Sequence, residues 1–217
     1  GNNDEANVPV AGLTEAATRV LQREGRRLAI YNLGGSPLGH EDLRVFVSDK
    51  LGIRAATTVE PDQVLITSGS LQALDLVNDL LLSPGDNVIV EEATYGGMLS
   101  RLKRLGVEVH GVRLDSDGVC PEHLRELLER CVSDGRPAKY LYTIPTVQNP
   151  TGSCMPLERR LEILEVMDKY ETAIFEDDCY ADLLWGCARP PTLWELDQAG
   201  TRVIYCGSFS KSIAPAL

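Results

Sequence analysis

The chain has 217 residues, 43% of them hydrophobic and 24% charged, with a formal net charge of −11 at pH 7. That composition suits one sizeable soluble domain or two small ones, and the acidic balance disfavours nucleic acid as a general partner, because phosphate backbones attract basic surfaces. No apolar run approaches the roughly 18 residues of a membrane span, and the N-terminus lacks the basic-then-apolar pattern of a secretory signal, which makes the cytoplasm the expected compartment.

Residues 1–12 are polar and read as a frayed or extended arm. Thr14 then precedes a helical pattern, "EAATRVLQREGRRLAI", with Ala17, Val20 and Leu21 at helix spacing. Glycine and proline make "YNLGGSPLGH" a loop, and Glu41–Leu51 reads as a second helix. From there the chain alternates. "QVLITSGS" predicts a strand and a turn, "LQALDLVNDLLL" a largely buried helix, "NVIVEEATY" a strand, "GGMLSRLKRLG" a helix and "VEVHGVRL" a strand. "PEHLRELLERCV" carries Pro121 in a first helical turn, where its missing N–H costs nothing. "KYLYTIP" predicts a strand, "PLERRLEILEVMDKY" a helix, and "TAIFEDD" and "TRVIYCGS" two more strands. Such alternation, with β-branched runs as the strands, predicts an α/β fold with a mostly parallel sheet.

The six cysteines (Cys120, Cys131, Cys154, Cys179, Cys187 and Cys206) form no Cys-x-x-Cys pair, and three histidines are spread along the chain. A metal site is therefore not expected, and isolated thiols fit a reducing compartment.

In a parallel sheet, ligands gather at the carboxyl ends of the strands, and the chemically distinctive residues fall there. Gly69 permits a tight turn into a helix whose N-terminus favours an anion. Ser70 either adds its hydroxyl to that site or caps the helix, and alone the cap is the simpler reading. Tyr95, followed by Gly96-Gly97, either covers a flat ligand ring or packs on its own helix. The prolines of "PTVQNPTG" stiffen a loop that can aim the Asn149 amide at a ligand oxygen, although Asn-Pro is also ordinary turn chemistry. Glu176, Asp177 and Asp178 follow an apolar strand. Acids there usually mean a solvated end, but one that is partly buried needs a cationic or donating partner, such as a protonated ring nitrogen. Tyr180 can turn its hydroxyl toward the same ring. Lys211, between Ser210 and Ser212 with Ser208 close by, is by itself a surface lysine. Withdrawn from water, it becomes an amine able to form a Schiff base with a carbonyl.

An anion grip, a ring cover, an amide donor, a carboxylate with a tyrosine, and a lysine among serines are together the parts that hold pyridoxal 5′-phosphate. The motifs "TSGSLQALDL", "EEATYGG", "YTIPTVQNPTG", "FEDDCYADL" and "GSFSKSIAPAL" also carry a resemblance. From about Tyr31 to Leu217 the sequence resembles the class I/II aminotransferases of the fold type I pyridoxal-phosphate superfamily, in particular the 2-aminoadipate and kynurenine aminotransferase group. It is similar as well to the aminotransferase-like domains of certain bacterial transcription regulators.

The resemblance implies a three-layer large domain around the parallel sheet, over residues 41–217, preceded by an N-terminal arm, helix and loop over 1–40. It implies that Ser70, the Leu71 backbone, Ser208 and Ser210 hold the cofactor phosphate and that Tyr95 stacks on its ring. Asn149 and Tyr180 would bond the ring hydroxyl oxygen, Asp177 would pair with the ring nitrogen, and Lys211 would carry the Schiff base. Asp177, Tyr180 and Lys211 are the expected catalytic residues, and Tyr31, Gly34, Gly35 and Asn149 the expected substrate-pocket residues. The implied reaction moves an amino group between an α-amino acid and a 2-oxo acid in a homodimer, without nucleic acid, membrane or metal. A cofactor-sensing regulator domain, or a lyase or decarboxylase on the same fold, remains open.

The resemblance further implies a phosphate-gripping arginine, a C-terminal small domain and a glycine- and proline-rich N-terminal segment that these 217 residues do not contain. Leu71 stands where the group often has Gln. We therefore expect the sequence to be a partial one, roughly the first half of such an enzyme.

Overall fold

Valine, isoleucine and aromatic side chains, which fit a pleated surface, make up the strands of one five-stranded sheet. In the computed structural model, which describes residues 4–30, 36–56, 58–186 and 188–214, these strands are β1 (Asn87–Glu91), β2 (Glu108–Val112), β5 (Ala138–Thr143), β6 (Ala173–Asp177) and β7 (Val203–Cys206). They lie in the order β2-β1-β5-β6-β7, and every neighbouring pair is parallel. A small antiparallel ribbon, β3 (Leu114–Asp115) with β4 (Gly118–Val119), stands apart from the sheet.

Strand residues alternate between faces, and the core divides accordingly. Val88, Val90, Tyr140, Tyr142 and Phe175 join one apolar cluster with Leu74 of α3 (Gly69–Leu81) and Met98 and Leu102 of α4 (Gly96–Leu105). Ile89, Leu141 and Ile174 join another with Leu124 and Leu128 of α5 (Pro121–Ser133) and Ile163 and Met167 of α6 (Leu157–Lys169). Helix, sheet and helix layers result, as expected for the fold class. The chain leaves β1 for β2 on one side and returns to β5 on the other. That reversal opens a crevice at the carboxyl ends of β1 and β5, where open α/β sheets bind ligands.

Residues 69–212 form one compact unit and the first 68 residues belong to another. Within the latter, α1 (Val10–Glu24) begins earlier than expected. Thr14 lies inside this helix and donates to the Val10 carbonyl at 2.9 Å. Pro9 occupies the N-cap position, so the helix starts where a missing N–H is harmless. Helix α2 (Glu41–Ala55) carries the buried Arg44, which binds the Pro61 carbonyl and Asp62. The strand expected over "QVLIT" is replaced by a 3-10 turn, Pro61–Gln63, and by extended residues outside any ladder. Pro61 starts the turn, a reciprocal Glu60–Gln63 capping box closes it, and the Ile66 N–H is taken by the Leu38 carbonyl at 2.8 Å. Gly39 is obligatory here: its φ is +106°, and a Cβ would lie 2.6 Å from that of Ile66.

Charged groups are buried at the carboxyl edge of the sheet. Arg160 of α6, fully buried, donates to the Met155 and Pro145 carbonyls and to Thr146 Oγ1 at 2.9–3.0 Å. Its Nη1 lies 3.7 Å from Glu176 Oε1. Glu176 also accepts the Leu193 and Trp194 N–H groups at the start of α7 (Leu193–Leu196), at 3.0 and 2.9 Å. Burial and the nearby Asp178 nonetheless push the Glu176 carboxyl up to about 8.

Replacing Arg160 by Met leaves two carbonyls and a hydroxyl without their donor, and we expect a loss of about 3–5 kcal/mol in urea unfolding. The raised carboxyls of Glu176 and Glu91 bind protons more tightly folded than unfolded. Their contribution is complete below the ordinary carboxylate range and is lost as pH rises through the folded value, which for Glu176 is about 8. The unfolding free energy from urea titration should therefore fall between pH 5 and pH 8.5, by at most about 1.4 kcal/mol per pH unit for one group, and Glu176→Gln should flatten that slope.

Candidate active site

The described site residues of the sheet edge sit on loops leaving β1, β5, β6 and β7. Asp177 is the last residue of β6, 3% exposed, on the Tyr142 face. Its Oδ2 accepts the Tyr142 hydroxyl at 2.6 Å, and its Oδ1 accepts the Cys179 thiol at 2.7 Å. Burial raises the Asp177 carboxyl above its usual range, and these donors work against that rise. Two residues beyond Cys179 the chain forms a 3-10 turn, Ala181–Leu183, with Tyr180 at its N-cap. The Tyr180 side chain is half-buried. Its hydroxyl is raised by burial first and then by Cys179, Asp177 and Tyr95, and Asn149 draws it back toward the ordinary range.

Asn149 is aimed by a loop with little freedom. Gln148 Nε2 donates to Glu91 Oε2 and to the Ala93 carbonyl, both at 2.7 Å, and Gln148 Oε1 accepts the Thr151 N–H at 2.8 Å. Glu91 Oε1 accepts Thr143 Oγ1 at 2.6 Å and the Ile144 N–H at 3.0 Å. One buried acid at the end of β1 thus ties down the first residues after β5. Burial raises its carboxyl while these donors oppose the rise. Val147, just ahead of Gln148, has a φ of +53°. For a β-branched residue that is a strained conformation, held here by the surrounding bonds.

Lys211 lies in the turn after β7, partly buried, with Nζ 5.9 Å from the centre of the Tyr180 ring. Ser208 Oγ accepts the Ser210 N–H at 3.1 Å, which folds the serines into a tight turn immediately before the lysine. Ser70 stands in the first turn of α3, behind Gly69 with φ +73°, so it is inside the helix and not ahead of it as a cap. Its side chain opposes the rise that burial imposes on the Cys179 thiol. Leu71 follows with its side chain 39% exposed, leaving only its backbone for an anion. Tyr95 precedes α4, and its ring lies over Gly97, where any Cβ would collide with it. Glycine there gives the ring its place, and the ring also packs against the Tyr142 cluster.

Lys211 thus faces Tyr180, and Asn149, Asp177 and Tyr95 all act on the Tyr180 hydroxyl. Tyr31, Gly34 and Gly35 lie outside the described residues. Sequence reasoning missed Tyr142, Cys179, Glu91 and Gln148. For Tyr142 a signal existed: the period of two on β5 puts it on the face of β6 that carries Asp177. Among the described residues no helix is long and apolar enough to cross a membrane, and no cluster of potential ligands could hold a metal ion.

Comparison with known proteins identifies the family. The family model for aminotransferase class I and II matches residues 2–216. The 2-aminoadipate transaminase of Thermus thermophilus is 39% identical over 212 residues, 96% of this chain and 50% of that protein. The uncharacterized HTH-type transcriptional regulator YjiR of Escherichia coli is 34% identical over 228 residues, which is 47% of its length. Among solved structures, the Pyrococcus horikoshii kynurenine aminotransferase superposes with a TM-score of 0.90 at 34% identity, covering 99% of this chain and 52% of that one. The α-aminoadipate aminotransferase of Thermus thermophilus, complexed with N-(5′-phosphopyridoxyl)-L-leucine, gives 0.88 at 35%, covering 99% and 52%. This chain spans about half the length of the relatives it matches, and it belongs to the class I and II aminotransferases.

Proposed function

We propose that this chain is the cofactor-binding part of a pyridoxal-phosphate-dependent aminotransferase that moves an amino group between an α-amino acid and a 2-oxo acid. The observation that carries the reading is the buried Asp177 carboxylate at the end of β6, three residues before Tyr180, whose ring faces Lys211 Nζ at 5.9 Å. Its bonds come from neutral donors, and a buried acid so held is a good match for a cationic ring N–H. The donor set fits pyridoxal phosphate.

Ser70, the Leu71 N–H, Ser208 and Ser210 would hold the phosphate, Tyr95 would cover the ring, and Asn149 with Tyr180 would bond the ring oxygen. When bound, the cofactor supplies an electron sink that makes the α-proton of an amino acid removable. Lys211 Nζ would hold the cofactor aldehyde, and as a free amine it would take the α-proton and return it, as general base and acid. Asp177 keeps positive charge on the ring nitrogen. Substrate recognition by Tyr31, Gly34, Gly35 and Asn149, assembly as a homodimer, and a cytoplasmic location are parts of the same proposal; cysteines without disulfides among the described residues suit a reducing compartment. The likeness to a transcription regulator favours one second reading, a domain that binds the cofactor without turning over.

Mixed with pyridoxal phosphate, the protein should develop a visible absorption band, and borohydride should then fix the cofactor to Lys211. Lys211→Ala should abolish both signals, and a wild-type protein that stays colourless and unlabelled would sink the reading. Adding a panel of amino acids should bleach the band, whereas a band that persists with every one selects the sensor. Asp177→Asn should keep the covalent label but slow the bleaching about a hundredfold or more.

A further inference from the structure

Asp177 is held from two directions by side chains with no place in the cofactor contacts proposed above. From β5, the Tyr142 ring stands edge-on to Phe175, with centres 5.8 Å apart, and its hydroxyl reaches Asp177 Oδ2. From the loop after β6, the Cys179 thiol reaches Asp177 Oδ1 at 2.7 Å. Burial first, then the Asp177 charge, pushes the Tyr142 hydroxyl and the Cys179 thiol far above their ordinary ranges. Both groups therefore keep their protons and act on Asp177 only as donors. The remaining titratable neighbours are of the same kind. Cys206, the register partner of Asp177 on β7, is a buried thiol raised by desolvation and by Asp177 and Asp178; Glu91 acts on Tyr142 from β1, and Tyr180 feels Asp177 from the following turn.

We propose that Tyr142 and Cys179 are positioning residues that keep the Asp177 carboxyl ionised and oriented, so that the proton it shares with the ring nitrogen of pyridoxal phosphate resides on nitrogen. The inference rests on the cofactor reading above and deepens it. Desolvation by itself favours a neutral carboxyl. A neutral Asp177 would retain the shared proton on oxygen and leave the ring without the positive charge that draws electrons from the reacting carbon. Each donor to the carboxylate lowers its proton affinity and moves that proton toward nitrogen. The phenol is the stronger donor and the thiol the weaker, so their contributions rank in that order. Both carboxylate oxygens are engaged, which also fixes the plane of the carboxyl.

The test is a nitrogen NMR spectrum of the protein loaded with pyridoxal phosphate labelled with 15N in the ring, since the chemical shift reports whether nitrogen or oxygen carries the proton. Wild type should give the protonated-ring shift and Asp177→Asn the neutral one. Tyr142→Phe, which keeps the ring that packs on Phe175, should lower the ratio of nitrogen-bound to oxygen-bound proton roughly ten- to a hundredfold. Cys179→Ala should shift it in the same direction by less, and Cys179→Ser, which restores a donor, should recover it. Urea midpoints of the variants check that each is folded, and a purely structural role would leave the 15N shift alone. Wild-type shifts in folded Tyr142→Phe and Cys179→Ala, beside a displaced Asp177→Asn, overturn the inference while leaving the cofactor reading standing. A wild type that gives only the free-cofactor signal overturns both.

Discussion

Four carboxylates, Glu91, Glu176, Asp177 and Asp178, are buried at the carboxyl edge of one parallel sheet, each no more than 3% exposed. Removing an acid from water is costly unless donors replace the lost hydration, and this requirement organises the loops around them. Glu91 takes up Thr143, Gln148 and the Ile144 N–H and so fixes the start of the Asn149 loop. Glu176 takes up the first N–H groups of α7 and lies beside Arg160. Asp178 accepts Arg189 and Tyr205 at 2.6 and 2.8 Å. Each of these three acids thus draws a neighbouring strand or loop against the sheet edge.

The alternation of a β-strand gives neighbouring acids different duties. Ile174 and Phe175 face opposite layers, and by the same period Glu176 and Asp177 point to opposite sides of the sheet. Glu176 goes to the Arg160 and α7 side, where its partners are a guanidinium and backbone N–H groups. Asp177 goes to the Tyr142 side, where its partners are a hydroxyl and a thiol. Identical side-chain chemistry one residue apart therefore becomes a structural brace in one case and a candidate for chemistry in the other. A one-residue slip of β6 would exchange the two, so the β5–β6 and β6–β7 register is a functional constraint as well as a packing one.

Much of this was legible in the sequence because it depends on local pattern. β-Branched and aromatic runs between helical segments marked every strand of the sheet, and their carboxyl ends and the turns after them carried Asn149, Asp177, Tyr180 and Lys211. The failures have physical causes. "QVLIT" has strand composition, but strand formation requires a ladder partner; Pro61 starts a turn ahead of it and Leu38 takes up the Ile66 N–H. Thr14 looks like a helix start, yet a threonine is tolerated within a helix when its hydroxyl bonds back to the preceding turn. Glu91, Tyr142, Gln148 and Cys179 escaped because their meaning lies in partners 35 to 57 residues away, or in Cys179's case in a bond to an acid two residues back. Residue type alone does not announce such contacts.

The distinction between holding a ligand and holding the groups that hold it explains why the site is so dense in buried bonds. Proximity contributes to a reaction only if the reacting groups stay within narrow limits of distance and angle. An amide on a loose loop or a carboxylate free to rotate would waste that contribution. Here the strained backbone at Val147, the fixed Gln148 amide and the doubly engaged Asp177 all restrict motion before any ligand arrives. The cost of ordering these loops is met by folding, through the burial of their polar groups against one another. An arriving ligand then has less order to impose, which is how a folded protein converts stability into affinity.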